Sequence, residues 1–228
     1  MSNFPNRNSL IDATIKGIKQ AKDNFLYWTN DRLYLSYAPA KMLSIHIAQE
    51  ISKLKNAPEI YIDATISDIL RCSLKDRGAF LNYMDKHSIK EDRFSITLDK
   101  RIKHKNNNDS ISKVIMTVKN GIRNIKNEYS DEIEKICKML DSSKEEESSL
   151  EYGLYAFYTD LPKSARKKLK TRIPQIIHSF NEVVQKYPNL KSSFVDDGIN
   201  EIENIGEWSI GVYLIERIKG SSNNPRCS

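Results

Sequence analysis

The sequence predicts an α/β fold in which a mixed central sheet is flanked by helices. Three observations carry this prediction. Two neighbouring stretches, Arg93–Asp99 and Lys113–Lys119, alternate apolar and polar side chains with a period of two, which marks strands that bury one face. Leu150–Asp160 (LEYGLYAFYTD) is apolar and aromatic on both faces, as an interior strand covered from two sides must be. Between and around these strands lie segments whose apolar residues recur at helical spacing, and this alternation of elements is the pattern of a layered α/β domain.

Length and composition agree with one core. The chain has 228 residues, 39% of them apolar, enough to bury a single domain. No apolar run approaches the ~20 residues needed to cross a bilayer, so no membrane partner is expected. The first residues, MSNFPNRNSL, lack the apolar centre of a signal peptide. Cys72, Cys137 and Cys227 are too scattered for a disulfide framework or a zinc site, which points to a reducing, cytoplasmic setting. The formal charge of +6 is modest but unevenly spread. Cations gather between Arg93 and Lys126 and again in Lys163–Arg172, while acids gather in Asp131–Glu147 and Asp196–Glu207.

In chain order, residues 9–24 place Leu10, Ile11, Ile15 and Ile18 near helical spacing, with Ser9 and Asp12 as candidate caps. Leu33, Leu35 and Tyr37 alternate with Tyr34 and Ser36, which predicts a short aromatic strand. Residues 1–37 are thus a helix and a strand packed on a core spanning 38–218, and 219–228 have the composition of a disordered tail. After Pro39, the residues Met42, Leu43, Ile47, Ile51 and Leu54 trace a helical stripe. His46, flanked by Ile45 and Ile47 with no second His at ligand spacing, reads as a surface or packing residue. Pro58–Asp63 is a strand, a helix begins at Thr65, and Ala79–His87 is another short helix. A long helix is expected from Ile122 to Leu140, with i,i+4 pairs from Asp131 and Glu134 to Lys135 and Lys138. A further helix starts at Leu161-Pro162 and contains Pro174, and Trp208–Ile218 forms the last strand.

The paired stretches Arg93–Asp99 and Lys113–Lys119 carry Ser95, Thr97 and Asp99 opposite Phe94, Ile96 and Leu98, then Thr117-Val118-Lys119 followed by Asn120-Gly121. This arrangement resembles the catalytic hairpin of the PD-(D/E)xK nucleases, the restriction-endonuclease-like superfamily. The resemblance implies a restriction-endonuclease-like sandwich over residues 38–218. It places Ser95 where the family has its Asp, and Thr117 and Lys119 where it has an acidic residue and a lysine. The chain also reads Ala38-Pro39-Ala40 where relatives in that family place a metal-binding Glu after Ala-Pro. Glu50, about 15 Å further along the helix, is too distant to substitute.

Those departures bear on the chemistry. Cleavage in this family needs carboxylates that hold Mg²⁺, which lowers the pKa of a bound water and stabilises charge on the phosphate. Ser95 and Thr117 offer only neutral hydroxyls, so Lys119 is left as a phosphate-binding cation and no cofactor is expected. The leading expectation is a nuclease-fold protein that binds DNA or RNA without cutting it, through Lys100, Arg101, Lys103, Lys105, Lys113 and Arg123. One alternative is an active Mg²⁺-dependent nuclease with Asp63 or Asp99 standing in for the lost acids. Another is a non-enzymatic subunit that meets a protein partner or a second copy of itself. Taken alone, Lys163–Arg172 reads as a solvated helix face.

Overall fold

The computed structural model describes residues 4–103, 108–141, 148–202 and 206–218, with side chains for all of these except 102, 103, 108 and 109. The helices are α1 (Arg7–Trp28), α2 (Ala40–Ser52), α3 (Ile66–Ser73), α4 (Phe80–Lys86), α5 (Asn127–Leu140) and α6 (Leu169–Val184). The strands are β1 (Glu59–Thr65), β2 (Arg93–Lys103), β3 (Asn108–Asn120), β4 (Tyr152–Pro162), β5 (Leu190–Asp196), β6 (Asn200–Ile202) and β7 (Gly206–Arg217). They form one sheet in the order β1-β2-β3-β4-β7-β5, with β6 also on β7. Only β3 and β4 run parallel; every other pairing is antiparallel, so the sheet is mixed.

The sheet is covered on both faces. One apolar layer joins Ile69 and Leu70 of α3, Ile133 and Ile136 of α5 and Ile176 and Phe180 of α6 to Ile115, Tyr155 and Tyr213 of the sheet. The other joins Leu10 and Ile18 of α1 and Leu43, Ile47 and Ile51 of α2 to Ile96, Val114, Leu154 and Val212. His46 is buried in the second layer as a packing residue. Every residue of β4 except Pro162 is buried, as the two-faced apolar reading of that stretch requires.

Several expectations are corrected. The cap of α1 is Asn6, whose side chain accepts from the Ser9 N–H, and neither Ser9 nor Asp12 starts the helix. The aromatic segment is not a strand. Helix α1 runs on to Trp28, and Leu35–Tyr37 is a single 3-10 turn in which Leu35 alone is buried. The Asn120 side-chain amide donates to the carbonyls of Leu35 and Ala38, both at 2.8 Å, and pins the turn to the end of β3.

The helix expected from Ile122 begins five residues later. Gly121 takes φ +72, a left-handed conformation that ends the strand, and the amides of Gly121 and Ile122 both donate to the Tyr158 carbonyl of β4. The helix expected from Leu161 begins at Leu169, because β4 continues to Pro162 opposite Gly206. Of the pairs expected on α5, Glu134–Lys138 forms, whereas Lys135 turns to Glu132 and Asp92. Strands β5 and β6 had no forecast: burial alternates along both, but inward positions carry the polar Ser192 and Asn200 and outward ones include Val195, so apolar residues do not mark the period.

The hairpin β2–β3 is antiparallel, with Ile96 opposite Met116 and Leu98 opposite Val114. Phe94 does not share a layer with Ile96 and Leu98, as strict alternation would require; it packs with α3 and α5. Ser95 sits at the changeover, where its hydroxyl accepts the Val118 N–H at 3.0 Å. A second irregularity between Leu98 and Asp99 leaves Lys113 without a partner in the ladder.

Candidate functional site

Two of the three motif positions, Thr117 and Lys119, meet at the β3 side of α5. Lys119 Nζ lies 3.0 Å from Glu132 Oε1. The Thr117 hydroxyl donates to Glu132 Oε2 at 3.3 Å. Lys135 Nζ is 2.7 Å from the same Glu132 oxygen and 2.6 Å from Asp92 Oδ2, and it sits 4.9 Å over the Phe94 ring. Burial pushes the Asp92 carboxyl up, but the hydrogen bonds from Lys135 and the Arg93 backbone, with the charges of Lys135 and Lys119, together outweigh it and hold the group below its ordinary value. Two ammonium groups and two carboxylates therefore close on each other with no net charge. An incoming phosphate would have to displace Glu132 from Lys119.

Glu132, Asp92 and Lys135 were not singled out from the sequence. Glu132 immediately precedes Ile133 in the buried stripe of α5, and a carboxylate flanking a stripe that packs on the motif strand is the signal that could have found it. Ser95 stays apart from this group, its hydroxyl taken up by the sheet.

The two stand-in acids are not brought to Lys119. Asp63 is in β1 and, by register, lies beside Ser95. Its backbone is left-handed at φ +59, its carboxylate pairs with Lys41 of α2, and its carbonyl accepts from Arg93 at 2.6 Å. Because α2 and α5 cover opposite faces, Asp63 and Glu132 serve different clusters. Thr65, not Asp63, caps α3.

Asp99 is buried and shares the Ser110 hydroxyl with Glu59, at 2.9 and 2.8 Å. Burial, with Glu59 nearby, pushes the Asp99 carboxyl up against the hydrogen bonds from Ser112 and Ser110. Burial acts on Glu59 in the same sense, but hydrogen bonds from Arg101 and Ser110 win and its pKa falls. Glu50 is fully engaged by Lys16 and Lys53. Among the described residues, no three His, Cys, Asp or Glu side chains come together in a way that could hold a metal ion.

The raised Asp99 pKa has a defined consequence. Folding favours its protonated form, so its contribution to stability is fully present below the unfolded pKa, about 4, and is lost as pH rises through the folded value. Asp99→Asn is expected to raise Tm by about 3 °C at pH 7, with the gain shrinking toward pH 4. Calorimetry across that range checks it, and a gain of the same size at both ends would contradict the assignment.

The expected nucleic-acid contacts divide. Arg101 pairs with Glu59, Lys113 with Glu151 and Arg123 with the fully buried Asp160. Lys100 is half-buried in β2. Lys103 lies in β2, although its side chain is outside the described set, and Lys105 is outside the described residues altogether.

A different basic surface forms where the parallel strands β3 and β4 end. The connection 121–126 follows β3 and the connection 163–168 follows β4, and Arg172 of α6 ties them together. Its guanidinium donates to the Arg123 carbonyl at 2.7 Å and to the Asn124 side chain. Lys163, Arg166, Lys167, Lys168, Lys170 and Arg172 have no carboxylate partner among the described residues. On one flank, Lys163, Lys168 and Lys170 line a depression with Glu201 and Glu207, and Glu207 accepts the Leu169 N–H at 2.7 Å.

Crevices outside the carboxyl ends of parallel strands are where open α/β sheets commonly bind ligands. Comparison of this chain with family models, with curated proteins and with solved structures returned no match.

Proposed function

We propose that this chain is a nucleic-acid-binding protein on a restriction-endonuclease-like scaffold, acting in the cytoplasm and holding the phosphate backbone without cutting it. The observation that carries the reading is the group of six cations in 163–172, left without carboxylate partners among the described residues at the end of the sheet. Elsewhere Lys and Arg are widely matched, as Arg101, Lys113, Lys119, Arg123 and Lys135 all show. A surface that gathers cations and withholds their partners suits a polyanion.

The scaffold reading is supported by the antiparallel β2–β3 pair, followed by the covering helix α5 and by β4 alongside β3. The absence of cleavage is supported by the local chemistry. Ser95 completes the strand ladder, and Glu132, the carboxylate nearest Lys119, already serves Thr117, Lys119 and Lys135. Neutral hydroxyls do not offset the desolvation of a divalent ion, and Lys119 cannot by itself generate the nucleophile.

The test is a binding titration with a labelled oligonucleotide at several salt concentrations. Affinity is expected to fall about 50-fold between 50 and 200 mM salt, as for about four neutralised phosphates. The triple variant Arg166→Glu/Lys167→Glu/Lys170→Glu should lose about 100-fold or more in affinity at low salt, with Tm unchanged, since these exposed side chains make no ion pairs among the described residues. Unaltered affinity in that variant would remove the basic surface from the function. Products formed with Mg²⁺ or Mn²⁺, and lost on chelation, would replace the non-cleaving reading with that of an active nuclease.

A further inference from the structure

We infer that the nucleic acid this protein takes is single-stranded, with its bases stacked on an aromatic ledge formed by residues 27–37 beside the basic sheet end. The inference rests on the proposed nucleic-acid function and adds the form of the strand and the residues that read it. Tyr27, Trp28 and Tyr37 are 84%, 65% and 66% exposed, among the most solvent-exposed large apolar side chains described. Leu33, in the same segment, and Ile125, in the β3–α5 connection, are exposed as well, at 43% and 53%.

The ledge is fixed in place rather than loosely tethered. Trp28 is the last residue of the 22-residue helix α1. The Thr29 hydroxyl closes that helix end on the Phe25 carbonyl at 2.8 Å. The turn bearing Tyr37 is held by Asn120 at the end of β3, and Arg123 donates to the Ser36 hydroxyl at 2.9 Å. Arg123 belongs to the connection that Arg172 joins to the lysine-rich segment, so the aromatic turn and the cations share one end of the sheet.

Side chains of this kind serve a single strand better than a duplex. Paired bases are already stacked on one another and show a protein mainly their edges and phosphates. Unpaired bases offer their faces, and aromatic rings beside cations bind these with little regard for sequence. The ring-bearing turn and the unmatched cations supply both halves of that interaction.

The two tryptophans make the test direct. Trp28 is exposed, whereas Trp208 is only 8% exposed and packs against Tyr158 and Lys22. Titration with an oligothymidylate of about twenty nucleotides should quench the fluorescence of Trp28. Trp28→Phe should keep the affinity and lose the quench. Trp28→Ala/Tyr37→Ala should weaken single-strand binding about 100-fold, at about tenfold per ring, and leave binding to a duplex of equal charge unchanged.

Equal affinity for duplex and single strand, with no effect of the alanine variant but a large one of the Arg166, Lys167 and Lys170 reversals, would sink this inference and leave the proposed function standing. Competition by polyglutamate as effective as that by the oligonucleotide would point to an acidic protein partner and overturn both. So would binding of neither form of nucleic acid.

Discussion

Arg123→Ala is expected to lower the unfolding free energy by about 3–5 kcal/mol, a fall in Tm of about 10 °C for a domain of this size. Asp160 is fully buried in β4, and its Oδ1 receives both Nε and a terminal nitrogen of Arg123, the former at 3.0 Å. Its other oxygen has no hydrogen-bond partner in the structure, so removing the guanidinium leaves an uncompensated buried carboxylate. The same guanidinium also donates to Ser36, and its loss would release one of the bonds that seat the aromatic turn. Exchanging both partners, as Arg123→Leu/Asp160→Leu, should recover most of the stability, because the cost lies in the orphaned charge. Thermal melts of the single and double variants decide it. A single variant that melts normally but binds nucleic acid weakly would return Arg123 to the role of phosphate contact read from the sequence.

Gly17→Ala pits two effects against each other, and their sizes settle the sign. Within a helix the change favours Ala by about 1 kcal/mol. Here, however, an added Cβ would stand 2.5 Å from Ile47 Cα, 2.7 Å from its amide nitrogen and 2.9 Å from the His46 carbonyl carbon. All three are backbone atoms of α2 and cannot turn aside as a side chain would. Helix α1 must back away from α2, opening the layer that contains Leu10, Ile18, Leu43 and Ile47. Overpacking of this kind outweighs propensity, and a net loss of about 2–3 kcal/mol is expected, or about 6 °C in Tm. Urea unfolding measures it. A stabilised variant would mean that the helices cross less closely than the structure shows.

What could be read in the sequence follows from how strongly each segment's neighbours constrain it. Strand β4 was evident because it is covered on both faces and could carry almost nothing but apolar groups. Helices α2 and α5 showed their stripes because each packs one face on the sheet. The faces of the hairpin were visible up to Ser95, where a side-chain hydroxyl takes the place of a backbone group and moves Phe94 to the other layer. No residue-level period can signal such an exchange.

Segment 33–37 misled for a related reason. Its alternation is real, but the Asn120 amide captures its carbonyls from 82 to 85 residues away, and local pattern carries no information on that. The site divides in the same manner. Thr117 and Lys119 were recognisable from their place in the hairpin, whereas Glu132 and Asp92 reach Lys119 and Lys135 only through folding. The basic run at 163–172 could not be told from an ordinary wet helix face until its partners, or their lack, could be seen.

The left-handed residue in β1 also bears on how the molecule behaves in company. Strand β1 forms one rim of the sheet and shows Tyr61 and Ile62 to solvent, a stretch that would otherwise invite pairing with a neighbour's strand. Asp63 bends the row of outward amides and carbonyls at that point, and Lys41 adds charge beside it. This one short irregularity, with a lysine beside it, makes that border a poor template for zipping onto another copy.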